Sequence, residues 1–319
     1  MLKKAFIGID TSNYTTSFSI CDINGQILNN FKVPLRVKEG ERGLRQSDAV
    51  FAHIKNFPEI AKMIAVNSDK YDFLAVGHSA FPRDVEGSYM PCFLVGEALS
   101  DMIASLYKID NYRFSHQTGH IRASMYSSGA EFDKNFIAFH VSGGTTEILH
   151  VTVENNNYVI NLIGGSKDLH AGQLIDRVGV AMGLQFPCGP KIEQLSKAND
   201  KVIPAIKTCV NGFLCNMSGA ENSAIKIYEQ TKDMSLVSDY IVSFVYKTIE
   251  DLTLNLREKY PYEQIVYAGG VMSNSIIQNK LKNTFENVYF ASPEFSSDNA
   301  SGIALLTREK FLNKEDENG

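Results

Sequence analysis

A chain of 319 residues is long enough for two domains of ordinary size, and 44% hydrophobic with 21% charged residues is a globular composition, not a disordered or fibrous one. The formal net charge of −5 argues against a stand-alone nucleic-acid binder, so a nucleic-acid substrate needs a local basic surface or a partner's. Five scattered cysteines (Cys21, Cys92, Cys188, Cys209, Cys215) with no C-x-x-C pair fit a reducing cytoplasm better than a disulfide framework or a zinc–thiolate site.

The opening apolar run breaks at Asp10, too early for a signal peptide, and no stretch reaches the ~18 apolar residues of a membrane span. A cytoplasmic protein without membrane association is expected. Residues 6–16 read as a strand, a small polar loop and the start of a second strand, continued by Ser17–Ile20, a turn at Asp22–Gly25 and a third strand. Helix-like residues 47–66, a strand at Phe73–Gly77 and a helix over 92–107 follow. Residues 136–146 then repeat the opening pattern, with Phe6/Phe136, Ile7/Ile137, Ser12/Ser142, Thr15/Thr145 and Thr16/Thr146 in register and a turn at Asn155–Asn157. Helices near 170–183, 219–230 and 236–258, a strand at Gln264–Tyr267, a helix over 273–283, a strand at Val288–Phe290 and a helix over 299–312 complete the chain, with a solvated tail. A hairpin followed by alternating α and β elements, twice, predicts an α/β protein of two similar lobes with a cleft between them. The boundary is set near residues 130–135. Residues 1–130 then form one lobe and 131–319 the other, with the last helix able to pack back on the first.

Three loops have the chemistry to hold phosphate. Ser142-Gly143-Gly144-Thr145-Thr146 joins two strands, and its glycines let backbone N–H groups approach an anion while its hydroxyls add donors. Asp10-Thr11-Ser12 holds the matching place in the first half, and Gly269-Gly270-Val271 follows a strand and opens a helix. Such loops in a duplicated α/β chain resemble the actin, Hsp70 and sugar-kinase superfamily of ATP-binding folds. Separately, His116 and His120 stand four apart, so on a helix both imidazoles share one face and can grip a cation. Asp298 is the obvious source of a third ligand, although its position is also that of a helix N-cap.

Taken together these residues resemble the tRNA N6-adenosine threonylcarbamoyltransferase family, proteins once described as O-sialoglycoprotein endopeptidases. The resemblance covers nearly the whole chain. It rests on Gly8–Ser12, His116-x-x-x-His120, Val141–Thr146, Gly172-x-x-x-Asp176-Arg177, Phe186–Pro190, Gly269-Gly270-Val271-x-x-Asn274 and Asp298-Asn299. It implies an actin/Hsp70-type fold with one divalent metal ion on His116, His120 and Asp298, iron or zinc before magnesium. It further implies that Val141, Ser142, Gly143, Gly144 and Thr145 bind the phosphate and acyl part of an adenylate or ATP, with Thr11, Gly269 and Gly270 beside them. Asp176 would take ribose hydroxyls, Gly189 would line the nucleoside pocket and Asn274 would contact the nucleotide. Asp10, Ser142 and Thr145 are the candidate catalytic residues. The implied reaction moves a threonylcarbamoyl group from its adenylate to N6 of adenosine 37 in tRNA. The implied partners are tRNA, a dimerising paralogue and a P-loop ATPase, with a homodimer as another assembly.

The chain departs from the family at three places. Where the family reads Glu-Thr-Ser-Cys-Asp-Glu-Thr, this chain has Asp10-Thr11-Ser12-Asn13-Tyr14-Thr15-Thr16, so Tyr14 replaces an acid. Phe81–Gly87 stand where the family carries Gly-Pro-Gly, which makes Arg83, Asp84 and Glu86 either readers of an altered acyl group or plain loop charges. Gly144-Thr145-Thr146 replaces Gly-His-Thr. These changes describe a divergent paralogue. The alternatives are a different acyl group or acceptor, a non-catalytic nucleotide-binding partner, and a small-molecule kinase with Asp10 as its base.

Overall fold

Alternating apolar and small polar residues fold the start of the chain into an antiparallel meander of β1 (Lys3–Ser12), β2 (Thr15–Asp22) and β3 (Ile27–Pro34). The structure, a computed structural model, describes residues 2–12, 14–36, 44–132, 134–154 and 157–318. Asn13, and Asn155 and Asn156 of the second expected turn, lie outside the described residues. After β3 come α1 (Gln46–Ser68), β4 (Tyr71–Phe81), α2 (Phe93–Tyr107), β5 (Asp110–Ser115) and α3 (His116–Ser128). A second meander consists of β6 (Phe136–Val141), β7 (Thr146–Glu154) and β8 (Asn157–Ser166). Then follow α4 (Ala171–Ala181), α5 (Gly189–Lys197), the hairpin β9 (Cys209–Asn211) and β10 (Leu214–Asn216), α6 (Ser218–Thr231), α7 (Met234–Lys259) and β11 (Gln264–Ala268). A short 3-10 turn, α8 (Ser275–Thr284), β12 (Val288–Phe290), α9 (Pro293–Ser296) and α10 (Ser301–Asn318) end the chain.

The duplication is visible in both sheets. The first has the order β3-β2-β1-β4-β5, and the second carries the same pattern, β8-β7-β6-β11-β12, with β10 and β9 added beyond β8. In each, the meander's first strand pairs in parallel with the next strand of the core. Even the register repeats: Phe6 faces Cys21 as Phe136 faces Val151, and Thr11 faces Thr16 as Val141 faces Thr146.

The chain forms two units, Met1–Tyr126 with Ser297–Gly319, and Ser127–Ser296. The sequence division at 130/131 placed residues 297–319 in the second lobe. In the structure they belong to the first, because α10 lies against that unit's own sheet. Ala304 and Leu305 pack with Phe6, Cys21 and Ala75, and the Phe311 ring meets that of Phe6 at a tilt, with centroids 5.5 Å apart. The expected C-terminal tail is helical through Asn318, and Lys314 bonds Asp110 at 2.7 Å. The second unit's core surrounds α7, whose Ile241, Val245, Ile249 and Leu252 meet Ile137, Phe139 and Tyr267 of the sheet. Among the described residues no helix is long and apolar enough to cross a membrane.

β5, α5, the β9–β10 hairpin and the short α9 went unread in the sequence. β5 is an edge strand of polar, half-exposed residues, so it lacks an apolar run. α5 begins at Gly189-Pro190, which reads as loop although proline suits a helix's first turn. The β9–β10 hairpin is three residues a side. Its neighbour α6 depends on Asp168, whose carboxylate accepts from the N–H of Met217 (2.8 Å) and from the N–H and hydroxyl of Ser218 (3.2 and 2.6 Å). Burial acts to raise this carboxyl, and the bonds from Ser218, Met217 and Leu169 outweigh it and hold the group below its ordinary 3.8. A depressed carboxyl stabilises the fold above its unfolded value and loses that contribution as pH falls through its folded one. Asp168→Asn is therefore expected to cost about 1–2 kcal/mol at pH 7, a modest figure because the carboxylate is exposed. The gap between wild-type and variant urea midpoints should stay level from pH 7 to about 5 and shrink steadily below about 4.

Candidate functional site

The three parallel strands of the first unit deliver one group each at or just beyond their carboxyl ends: Asp10 from β1, Ser79 from β4 and His116 directly after β5. Ligands of parallel α/β sheets characteristically bind at these ends. Ser115 caps α3 by accepting the Thr118 N–H at 3.0 Å, which begins the helix at His116 and puts His116 and His120 on one face. The His116 and His120 Nε2 atoms are 3.0 Å apart, and Asp298 Oδ1 lies 3.3 Å from His120 Nε2 and 3.8 Å from His116 Nε2. Asp298 is free for this because the neighbouring Asn299, not Asp298, caps α10 by accepting the Ser301 N–H at 3.0 Å.

Two imidazole nitrogens and a carboxylate oxygen at these separations fit a single cation at ~2.0–2.2 Å from all three. The donor set suits iron or zinc better than magnesium, which prefers oxygen. Burial opposes a charge on His116, but the Asp10 carboxylate and its hydrogen bond, with help from Asp298, push its pKa up to about 9. Burial likewise acts to raise Asp298, while the hydrogen bond from His120 and the charge of His116 hold it below the carboxylate range. The cluster thus carries anionic charge to attract a cation, and a metal must displace a proton from His116 to bind. Burial pushes the thiols of Cys21, Cys92 and Cys215 up to about 12, so these cysteines are neutral and supply no thiolate.

Several candidates fall elsewhere than expected. Asp10 is fully buried, and its Oδ1 accepts from His116 Nδ1 (2.8 Å) and from the Ser79 hydroxyl. It exposes no surface to solvent. Thr11 is also wholly buried. Its hydroxyl donates to the Cys92 carbonyl (2.9 Å) and accepts the Gly96 N–H (3.0 Å), which anchors the start of α2. The loop after Thr11 is pinned by His53 of α1, a residue the sequence reading missed. Its Nε2–H donates to the Ser12 carbonyl (2.8 Å), which leaves Nδ1 to accept from the Thr16 hydroxyl (2.8 Å). Tyr14 is 45% exposed, so the ring that replaces the family acid faces solvent. Asp84 does not read a ligand: it accepts from the Ser115 and Thr118 hydroxyls (2.7 and 2.8 Å) and steadies the start of α3. Arg83 and Glu86 are exposed loop residues.

In the second unit the remaining candidates form a closed chain of contacts. A Cβ on Gly172 would lie 2.6 Å from the Gly143 Cα, and Thr146 Oγ1 accepts the Ala171 N–H at 2.9 Å, so the 142–145 loop is seated on the start of α4. One turn along, Asp176 accepts the Cys188 N–H at 2.8 Å, beside Gly189, and burial pushes its carboxyl up. Glu193 of α5 accepts the N–H and hydroxyl of Ser275 (3.1 and 2.6 Å), next to Asn274. Asn274 Oδ1 caps α8 by accepting the Ile276 and Ile277 N–H groups at 3.0 and 3.2 Å, which leaves only its amide nitrogen for a ligand. Gly269 closes the ring: its φ is 97°, and an added Cβ would meet the Val141 carbonyl oxygen at 2.3 Å. Val141 is itself buried and offers backbone only.

Gly143, Gly144, Gly189 and Gly270 differ from Gly269. None has a positive φ, and a Cβ on any of them meets nothing within 4 Å. Neither backbone conformation nor packing calls for glycine there, and what glycine provides is uncovered backbone over which a ligand can lie. Gly144→Val is accordingly expected to change stability by no more than about 0.5 kcal/mol. The same variant should weaken adenine-nucleotide binding about tenfold or more, measured by calorimetry with a non-hydrolysable ATP analogue and with AMP.

A family model described as TsaD, tRNA N6-adenosine threonylcarbamoyltransferase, matches residues 87–305. The tRNA N6-adenosine threonylcarbamoyltransferase of Fervidobacterium nodosum is 27% identical in an alignment of 329 positions that takes in 98% of this chain and 94% of that one. Among solved structures, the activator of the 2-hydroxyisocaproyl-CoA dehydratase from Clostridium difficile, with bound ADPNP, aligns at TM-score 0.56 and 13% identity over 98% of this chain and 97% of its own. A ROK family protein from Streptococcus pneumoniae in complex with sucrose aligns at TM-score 0.55 and 11% identity over 98% and 99%. These two likenesses are of fold alone, an α/β fold with two sheets built on one repeated strand pattern.

Proposed function

Because the chain belongs to the tRNA N6-adenosine threonylcarbamoyltransferase family, we propose that it moves a threonylcarbamoyl group from threonylcarbamoyl-adenylate to N6 of adenosine 37 in tRNA. The observation that carries this reading is the approach of His116, His120 and Asp298 to ligand distance of one another. N6 attacks the carbamoyl carbon, the bond from that carbon to the phosphate oxygen breaks, AMP leaves with the electron pair, and the N6 proton passes to solvent. His116, His120 and Asp298 would hold a divalent ion, which would supply Lewis-acid stabilisation of the charge that develops. Ser142 and Thr145 donate their hydroxyls, and Gly143 and Gly144 their N–H groups, to the phosphate and the carbamoyl oxygen. Asp176 and Gly189 take the nucleoside, with Gly269, Gly270 and the Asn274 amide beside the nucleotide.

The kinase reading loses its base, since Asp10 is buried against His116 and Ser79. A variant acyl group or acceptor is the second reading, and exposed Tyr14 in place of an acid favours it. With a net charge of −5, tRNA capture calls on helpers: a dimerising paralogue or a second copy, a P-loop ATPase, and a separate enzyme that makes the adenylate. Nucleoside mass spectrometry of total tRNA, with the gene present and deleted, tests the proposal. Loss of a carbamoyl-adenosine upholds it, and the mass of the lost species names the acyl group. An unchanged profile, also in a strain lacking any paralogue, rejects it.

A further inference from the structure

We infer that Asp10 and Ser79 form a positioning pair that locks His116 as a metal ligand, an inference that rests on the metal reading of the triad. Asp10 Oδ1 stands 2.8 Å from His116 Nδ1 and accepts its proton-bearing face. A carboxylate there keeps hydrogen on Nδ1, so the proton a metal displaces is the one on Nε2, and the lone pair so freed points at His120 and Asp298. The Ser79 hydroxyl donates to the same Oδ1 and fixes the carboxylate in turn. The pair is assembled by strand register: Ile9 lies beside His78 in the parallel β1–β4 ladder, which makes Asp10 and Ser79 the next neighbours. On its other side, β1 is held by Ser17, whose hydroxyl donates to the Asp10 carbonyl at 3.2 Å.

Packing alone gives no reason for this carboxylate. Asp10 has no exposed surface, and its Oδ2 has no hydrogen-bond partner, so the fold bears a half-satisfied buried charge where an apolar residue would pack without cost. Ser79 is equally enclosed. Both residues are closed off from solvent; Asp10 reaches the His116 ring, and Ser79 reaches Asp10.

The test uses the full chain, stripped of metal and titrated with Co(II), with the visible spectrum and competition against a chromophoric chelator as readouts. Asp10→Asn keeps the shape and an acceptor but loses the charge, and is expected to bind Co(II) about 10–100-fold more weakly with altered absorption bands. Ser79→Ala removes only the second support and is expected to lose about 3–10-fold. A purely structural role would lower the urea midpoint yet leave affinity and spectrum untouched. Wild-type affinity and spectrum in both variants would overturn the inference and leave the triad standing. A wild-type protein that takes up no Co(II) would overturn the metal reading and this inference together.

Discussion

Alanine at both His116 and His120 is expected to leave the purified protein without stoichiometric metal and to lower transfer to tRNA by about a thousandfold or more, the equivalent of ~4 kcal/mol of lost charge stabilisation. Two of the three ligand atoms disappear, and Asp298 alone has no geometry with which to hold an ion. The single variants should differ in a way that reports on the arrangement beneath them. His116→Ala also removes the cation from a fully buried Asp10, leaving that carboxylate with the Ser79 hydroxyl alone. Breaking a buried pair on one side costs about 3–5 kcal/mol, so this variant should unfold at markedly lower urea. His120→Ala empties the site without orphaning Asp10 and should cost only about 1–2 kcal/mol. Elemental analysis and urea titration of the two proteins check both halves. Unchanged metal content in the double variant would end the metal assignment, and equal stability of the singles would remove the special place given to Asp10.

Much of this site was legible because its signals are local. The i, i+4 spacing of His116 and His120 needs only a helix to bring the rings together, and α3 supplies it. The hairpins were legible too, since the residues that repeat between 6–16 and 136–146 are those whose strand register repeats. What escaped depends on contacts between distant segments. Ser79 matters only because β4 runs parallel to β1, bringing it to a residue 69 positions earlier. Thr11 and Asp84 looked like ligand-reading polar residues because sequence does not show which way a side chain points. One turns inward to Cys92 and Gly96 and the other to Ser115 and Thr118. Asp298 reads from sequence as a metal ligand or as a helix cap, because both tasks use the same residue types. The cap is the next residue, and that one-position difference frees the carboxylate.

Gly302→Ala is expected to disable the same site from a position that touches no ligand. Gly302 lies in α10 where it crosses α3, and a Cβ there would sit 1.8 Å from the Gly119 carbonyl oxygen and 3.0 Å from the Ala123 nitrogen. Carbon and carbonyl oxygen keep about 3.3 Å or more apart, so the helices must part by ~1.5 Å. Little room exists for that. On its sheet side α10 already lies so close that a Cβ on Gly8 would meet the Ala304 nitrogen at 2.4 Å and the Ala300 oxygen at 2.5 Å. Gly119 stands between His116 and His120, and Asp298 is four residues ahead of Gly302, so the spacing of this crossing is also the spacing of the ligands. Metal sites tolerate errors of only about 0.2 Å. The variant should therefore lose ~3 kcal/mol or more of stability and bind Co(II) at least about 100-fold more weakly. Gly219→Ala in α6 is the control, since a Cβ there meets nothing within 4 Å and alanine favours a helix. It should leave metal binding unchanged and stability equal or slightly higher. Wild-type Co(II) affinity in Gly302→Ala would show that something other than the α3–α10 crossing places Asp298 beside the two histidines.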